Sequence, residues 1–162
     1  MADVVTGRWT ARPPADGVAV FLIGMRINRL HRVRKWFPVT AAMPRMLRHL
    51  ANDPDSGLLA FHSWVGRTTV LVSYWRTPAD IQRFAADPNA PHAGPWREFM
   101  KRTAGSGDVG VWHETYTITS DTYEGIYSDM PRFGMAEAGE HLPVGPGSQT
   151  WHQRMGLRSA KR

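Results

Sequence analysis

Residues 109–116 place a histidine, a carboxylate, an indole and a phenol in a run that otherwise has the composition of a β-strand. Successive side chains of a strand point to opposite faces, so His113 lies on one face and Glu114 on the other, beside Trp112 and Tyr116. Titratable groups among large apolar neighbours are those whose pKa values shift. Each face of this strand is therefore a candidate for acid–base chemistry. Although His113 and Glu114 are adjacent in sequence, their side chains point to opposite faces and do not form a pair.

The hydrophobic pattern predicts that this strand, over 109–118, is the last of four. The first, over 18–27, is almost wholly apolar, which is typical of a strand buried on both faces. Two more strands, over 58–65 and 68–76, are joined through Gly66-Arg67, a two-residue hairpin signal.

Two helical regions separate these strands. The first should begin at Asn28 as an N-cap and end at about residue 50, and the second should begin at Thr77-Pro78. Because a proline removes a helical donor and clashes with the preceding turn, we expect breaks at the internal prolines. These are Pro38 and Pro44 in the first region, which predict two or three pieces, and Pro88 and Pro91 in the second.

The order β-α-β-β-α-β is that of the ferredoxin-like α+β fold. Its single sheet has helices on one face, and the other face here would expose apolar residues of 18–27, 70–72 and 109–118. Leaving that much hydrocarbon in water is unfavourable, so the sequence predicts a symmetric homodimer that covers it.

Three segments are expected along the chain. Residues 1–17 have no apolar period and should form a loosely held N-terminal arm, and 18–119 form the domain. Residues 120–162 form a C-terminal extension that is too aromatic for a linker and should pack on the domain or on the partner, with a mobile basic tail after about Gly145.

Composition excludes several classes of protein. The 162 residues contain no cysteine, which rules out disulfides, thiolate nucleophiles and zinc–thiolate sites. The net charge is +6, with much of the excess in 26–35 and 154–162. A nucleic-acid binder would use such charge on phosphates, but no RNP, KH or zinc-finger pattern accompanies it, so we do not expect a nucleic-acid partner.

Other negative patterns narrow the function further. No apolar run approaches the roughly 18 to 20 residues of a membrane span, and the start of the chain is polar, which together favour a cytoplasmic protein without a membrane partner. Dinucleotide, P-loop, zinc-protease and serine-hydrolase motifs are absent. The remaining histidines show no metal-ligand spacing, and no metal site is expected: His31, His49, His62, His141 and His152.

Five blocks resemble one family. Residues 21–29, 42–46, 74–76, 109–116 and 127–134 are similar to the DUF4188 family, also described as monooxygenase-like after a fungal member of fumagillin biosynthesis. The resemblance covers about residues 15–140 and implies a dimeric α/β barrel with a pocket between the sheet and the helices of each subunit. Relatives on that scaffold are cofactor-independent oxygenases, haem proteins or simple ligand binders, and fold alone does not choose among them.

A cofactor-free oxygenase needs a base, or a preorganised polar site, to form a carbanion that can pass an electron to dioxygen. His113, Glu114 and Tyr74 are the candidates for the proton. Arg26 and Arg76, each at the end of an apolar strand, are candidates for stabilising negative charge on a substrate oxygen, or alternatively for pairing with a structural carboxylate.

Aromatic residues could line a flat apolar cavity for a planar substrate, although most aromatic residues at such spacings are plain core. The candidates for substrate binding are Phe61, Trp64, Trp96, Trp112 and Tyr116.

His92 is the candidate for a cofactor. It begins a helical segment roughly where haem-binding relatives place an axial ligand, although a histidine at a helix start often makes only a local hydrogen bond.

The sequence thus predicts a small monooxygenase of specialised metabolism that oxidises an apolar terpenoid- or polyketide-type substrate with dioxygen and no organic cofactor. The alternatives are a haem-dependent oxygenase or dehydratase with His92 as axial ligand and a non-catalytic ligand-binding module.

Overall fold

The structure is a computed structural model that describes residues 3–156. Seven strands occur in that range: β1 (Val5–Arg12), β2 (Val18–Ile27), β3 (Leu58–Trp64), β4 (Val70–Trp75), β5 (Val109–Ile118), β6 (Tyr127–Met130) and β7 (Glu140–Pro143). Its helices are α1 (Val33–Asn52), α2 (Pro78–Ala86), α3 (Ala93–Thr103), α4 (Met135–Ala138) and α5 (Trp151–Gly156), with a 3-10 turn at Ser120–Thr122. No helix in residues 3–156 has the length and apolarity needed to cross a membrane.

The main sheet is antiparallel and has the strand order β3-β4-β2-β5. β2 is central and pairs along its whole length with β5, from Val18 opposite Ile118 to Ile27 opposite Val109. On its other side β2 pairs with β4. The predicted order β-α-β-β-α-β and the ferredoxin-like α+β fold are confirmed for this part of the chain.

α1 is continuous, so the prediction that Pro38 and Pro44 divide it was wrong. Both prolines are on the exposed side of the helix, where each removes one backbone donor without disturbing the packed side. That packed side buries Leu47 and Leu50 against the sheet. Burial of one face therefore outweighs two lost hydrogen bonds, since most helical stability in proteins comes from such packing.

The second helical region follows its sequence signals. Thr77 caps α2, and its hydroxyl accepts from the backbone N–H of Asp80 at 3.1 Å, with Pro78 at the first helical position. The chain then leaves the helix before Pro88 and resumes as α3 after His92. Together α1, α2 and α3 cover one face of the main sheet, which we call the helix face.

A second, smaller sheet of order β6-β1-β7 packs on part of the opposite face. Residues 1–17 were expected to be a loose arm, but β1 pairs with both β6 and β7. The pairing partners come from the C-terminal extension, more than 100 residues away, so no local sequence pattern predicts this strand. Met135 and Ala136 of α4 are 1% and 0% exposed and fill the space between the two sheets.

An ion pair joins α5, at the end of the described chain, to the segment between β5 and β6. The guanidinium of Arg154 in α5 pairs with the largely buried Glu124 and also donates to the backbone carbonyl oxygens of Ser148 and Gln149. The mobility expected after Gly145 stays a prediction, and its basic end at 157–162 lies outside the described residues.

We expect the substitution Gly24→Ala to destabilise the sheet. A Cβ at this position would lie 2.0 Å from the backbone oxygen of Thr69 and 2.8 Å from Nε1 of Trp112. Either the strand β2 or the indole of Trp112 would therefore have to move. Overpacking of this kind costs about 1 to 3 kcal/mol. Urea denaturation followed by circular dichroism measures the change in the free energy of unfolding.

Gly94→Ala is the matched control, because no atom lies within 4 Å of its Cβ position and alanine is favoured over glycine in a helix by about 1 kcal/mol. Equal stability of the Gly24→Ala variant and the wild-type protein would show that β2 does not approach Thr69 and Trp112 as described.

Candidate functional site

The register of the main sheet separates the candidate residues into two groups. His113 is opposite Ile23 of β2 and Phe61 is opposite Ser73 of β4, and both residues lie on the helix face. Most of the others lie on the opposite face, which we call the open face: Trp64, Tyr74, Trp112, Glu114 and Tyr116. The inference that His113 and Glu114 are not partners therefore agrees with the structure.

The helix face contains two buried clusters and a partly exposed apolar patch. One buried cluster contains Leu50, Trp75 and Ile81, and another contains Met25 and Phe99. Three apolar side chains of this face remain partly exposed: Phe21, which packs against the first cluster, Ile23, and Phe61 on the edge strand β3. We call this partly exposed apolar patch the helix-face crevice.

His113 lies at the edge of this crevice. It belongs to β5, an edge strand, and its side chain is exposed. Its ring centroid is 5.8 Å from that of Phe21, with the planes tilted by 45°. Among residues 3–156 no hydrogen-bond partner occupies its ring nitrogens, so the imidazole is free to act on a ligand placed over Phe21.

On the open face, Glu114 is engaged with a neighbour on its own strand. Its carboxylate accepts a 2.6 Å hydrogen bond from the hydroxyl of Tyr116. That hydrogen bond and the negative charge of Glu114 raise the pKa of Tyr116, with burial as the smallest cause. Trp112 extends from the same strand across Gly24 of β2, where no Cβ obstructs its indole.

Tyr74 belongs to a polar cluster beneath the C-terminal extension. Burial, and then the neighbouring Tyr127, raise the pKa of Tyr74, so it stays a protonated phenol at neutral pH. The hydroxyls of Tyr123 and Tyr127 are 3.0 Å apart, and burial is the main cause of the raised pKa of Tyr123. In this setting Tyr74 can donate a hydrogen bond but is a poor base.

The same cluster contains a residue that sequence reasoning missed. Nε2 of His62 accepts a 2.8 Å hydrogen bond from the backbone N–H of Gly134 and lies 3.3 Å from a carboxylate oxygen of Glu137. Burial lowers the pKa of His62, and the charge of Glu137 raises it by less. The available signal was its position two residues before Trp64, which places both on one face of β3.

Arg26 and Arg76 lie at opposite ends of the sheet. Arg26 donates to the hydroxyl of Thr68 at 3.0 Å, whereas Arg76 donates to the backbone oxygen of Asp55 at 3.1 Å. Trp75 is opposite Ala19 of β2, so about seven residues, or roughly 23 Å, separate the two ends. The two arginines therefore cannot hold the same small ligand.

Trp96 is outside the crevice. It projects from α3 with 39% of its surface exposed, and its ring is 5.5 Å from that of Phe99. A shallow cavity of about 340 Å³ between α1 and α3, lined by Lys35, Phe99 and Arg102 among others, does not include it.

His92 fits an axial haem ligand poorly. Its ring is 4.4 Å from that of Phe84, and its Nδ1 is buried without a hydrogen-bond partner in residues 3–156. A ligating histidine ordinarily donates its second N–H to an acceptor that fixes the ring, and that acceptor is missing here. Residues 3–156 also contain no group of three His, Asp or Glu side chains that could hold a metal ion.

Comparison with known proteins identifies the family. The model of the monooxygenase af470-like family matches residues 18–135, which is most of the chain and includes all of the main sheet. The chain belongs to this family. The resemblance found in the sequence is therefore confirmed at the level of the family.

One curated relative is monooxygenase af470 of Aspergillus fumigatus, 28% identical over 149 residues. The match covers 78% of this chain and 52% of the relative, so the chain spans about half of its length.

Solved structures show the fold. An aldoxime dehydratase in complex with butyraldoxime matches 88% of this chain and 44% of its own, with a TM-score of 0.67 and 14% identity. SnoaB, a cofactor-independent oxygenase from Streptomyces nogalater, matches 63% of this chain and 93% of its own, with a TM-score of 0.44 and 16% identity.

Replacing Glu114 with glutamine should lower the pKa of Tyr116 toward its ordinary value, because the variant removes the negative charge that disfavours the phenolate. Tyrosine labelled with ¹³C at Cζ allows each residue to be titrated separately by NMR. Asp121→Asn is the control, since Asp121 is an exposed acid just after β5 without this contact. An unchanged titration of Tyr116 would mean that the Glu114 hydrogen bond does not form.

Proposed function

We propose that this protein oxygenates an apolar, conjugated substrate of the terpenoid or polyketide type in the helix-face crevice, with dioxygen as oxidant and without an organic cofactor. The observation that carries the proposal is the imidazole of His113 at the edge of a partly open apolar surface made by Phe21, Ile23 and Phe61. Membership of a monooxygenase-like family supports it.

In the proposed reaction His113 removes a proton from an activated methylene of the substrate, because histidine is the side chain that most often serves as a general base. The resulting carbanion passes electrons to dioxygen. The methylene becomes a carbonyl that contains one oxygen atom, and the second oxygen leaves as water, so no external reductant is required. The apolar side chains exclude water from the carbanion and hold the substrate flat against the sheet.

The other candidate catalytic residues lie away from this site. Tyr74 and Glu114 lie on the open face, and Arg26 and Arg76 lie at the ends of the sheet. Of the residues singled out from the sequence, His113 and Phe61 lie on the face that contains the crevice, so they are the ones on which the proposal rests.

His113→Ala should reduce turnover by about 10²- to 10⁴-fold, the usual contribution of a positioned base. Anthrone is a suitable probe, since it has an activated methylene between two aromatic rings, and the assay follows oxygen uptake together with quinone absorbance. Thr117→Ala is the matched control, because Thr117 is exposed on the same face of β5 but opposite Ala19, away from Ile23.

Undiminished turnover in the His113→Ala variant would remove this residue from the mechanism. Absence of oxygen uptake by the wild-type protein would favour the non-catalytic binding module. A Soret band in the purified protein, or one that shifts when haem is added, would favour the haem-dependent alternative with His92 as axial ligand.

We further propose that a second copy of the chain covers the remaining open face. That face is largely apolar and aromatic: Leu22, Val70, Val72 and Trp112 are half-buried and Tyr116 is exposed, with the exposed carboxylate of Glu114 among them. The match with the longer curated relative and the match with aldoxime dehydratase each account for about half of those chains. Each of those longer chains is therefore long enough to contain a second unit of this size. In the present protein, a second copy of the chain would take the place of that unit.

Tyr116→Lys should convert the dimer to a monomer without unfolding it, because the side chain is 50% exposed in the single chain and a lysine would be buried in the interface. Light scattering coupled to size exclusion measures the mass. Thr117→Lys places the same charge on the other face of the same strand and should leave the dimer intact. A wild-type monomer at micromolar concentration would contradict the proposal.

A further inference from the structure

One titratable side chain of the open face, that of His62 in β3, contacts the C-terminal extension. Phe133, Gly134 and Glu137 all contact His62 of β3, and we call these four residues the latch. The ring of Phe133 stacks on the imidazole with centroids 3.9 Å apart and planes at 28°. The backbone N–H of Gly134 donates to Nε2 at 2.8 Å.

We propose that the latch is operated by protonation, so that neutral His62 holds the extension on the sheet and protonated His62 releases it. The hydrogen bond with Gly134 requires a lone pair on Nε2, which only the neutral imidazole with its proton on Nδ1 provides. A proton on Nε2 would point at the N–H of Gly134, and two donors would then face each other.

The carboxylate of Glu137, itself part of the extension, opposes this release. One of its oxygens lies 3.3 Å from Nε2 and attracts a protonated imidazole, but burial lowers the pKa of His62 by more than this charge raises it. Among residues 3–156 Glu137 of α4 is the charged group within ion-pair distance of His62. The hydroxyls of Tyr74 from β4 and Tyr127 from β6 lie beside Gly134, and burial raises the pKa of Tyr74, which keeps it a neutral phenol at neutral pH.

Gly134 cannot adjust easily to protonation of His62. Its φ is 60°, and a Cβ at this position would lie 3.0 Å from the hydroxyl oxygen of Tyr74, so backbone and sheet are closely fitted here. The next two residues, Met135 and Ala136, are almost fully buried. Loss of the Gly134 bond therefore acts on the segment that holds the extension against the sheet.

The direction of the pH dependence follows from burial. Because burial lowers the pKa of His62 in the docked state below the ordinary 6.5, the released state binds a proton first as pH falls. Docking is then independent of pH well above 6.5 and weakens below it. The equilibrium constant for docking falls by at most about tenfold per pH unit, since one proton is involved, and levels off below the docked pKa.

Amide hydrogen exchange on the full chain between pH 5 and 8 tests the proposal, with the amides of 134–139 compared with those of 19–23 in β2 at each pH. We expect protection of 134–139 to fall below pH 6.5 relative to β2. His62→Gln should abolish the pH dependence, because a glutamine amide oxygen can accept from Gly134 but does not titrate. His49→Gln, at an exposed position on α1, should keep the wild-type profile.

Glu137→Gln provides an independent readout, since removing the carboxylate lowers the docked-state pKa of His62 further and should deepen the loss of protection below pH 6.5, with the levelling-off moved to lower pH. The proposal would be overturned if the amides of 134–139 and those of β2 changed in protection together at every pH. It would also be overturned if the pH-dependent loss of protection at 134–139 persisted in the His62→Gln variant. If His62→Gln does not fold, ¹⁵N spectra of the wild-type imidazole decide the question: a proton on Nε2 at pH 7 would exclude the latch.

Discussion

The pairing of β2 with its two neighbours is the constraint on which the rest of this structure depends. The side chains of a strand alternate between faces, so the register of Val18 to Ile27 against β4 and β5 decides on which side of the sheet every other residue lies. A slip of one residue would exchange the positions of His113 and Glu114. Gly24 opposes such a slip of β2, because a residue with a Cβ in its place would clash with the backbone oxygen of Thr69 and the indole of Trp112.

The two faces are covered in different ways, and this difference produces two environments. Helices α1, α2 and α3 cover one face and bury two clusters on it, whereas Phe21, Ile23 and Phe61 of the same face stay partly exposed. The terminal segments cover part of the other face through β1, β6, β7 and α4. Polar residues beneath that second layer, such as Tyr74 and His62, are partly desolvated, whereas His113 on the edge strand remains exposed.

This division gives the titratable residues separate roles. Desolvation disfavours charge, so Tyr74 stays a neutral phenol and His62 a neutral hydrogen-bond acceptor. An exposed imidazole beside Phe21 can exchange protons with solvent and with a ligand. In the two proposals, acid–base chemistry and attachment of the C-terminal extension therefore depend on different histidines on different faces of one sheet.

The sequence by itself determined the four strands of the main sheet, the start of α2, the separation of His113 from Glu114 and the family, since these follow from local periodicity, capping and block composition. It did not determine the strand in residues 5–12, whose partners lie more than 100 residues away, or the continuity of α1 through Pro38 and Pro44. Nor did it reveal His62, because its partners Gly134 and Glu137 come from a distant part of the chain. Only the tertiary structure decided these features, since each depends on burial and on contacts between segments that are remote in sequence, and neither leaves a local pattern.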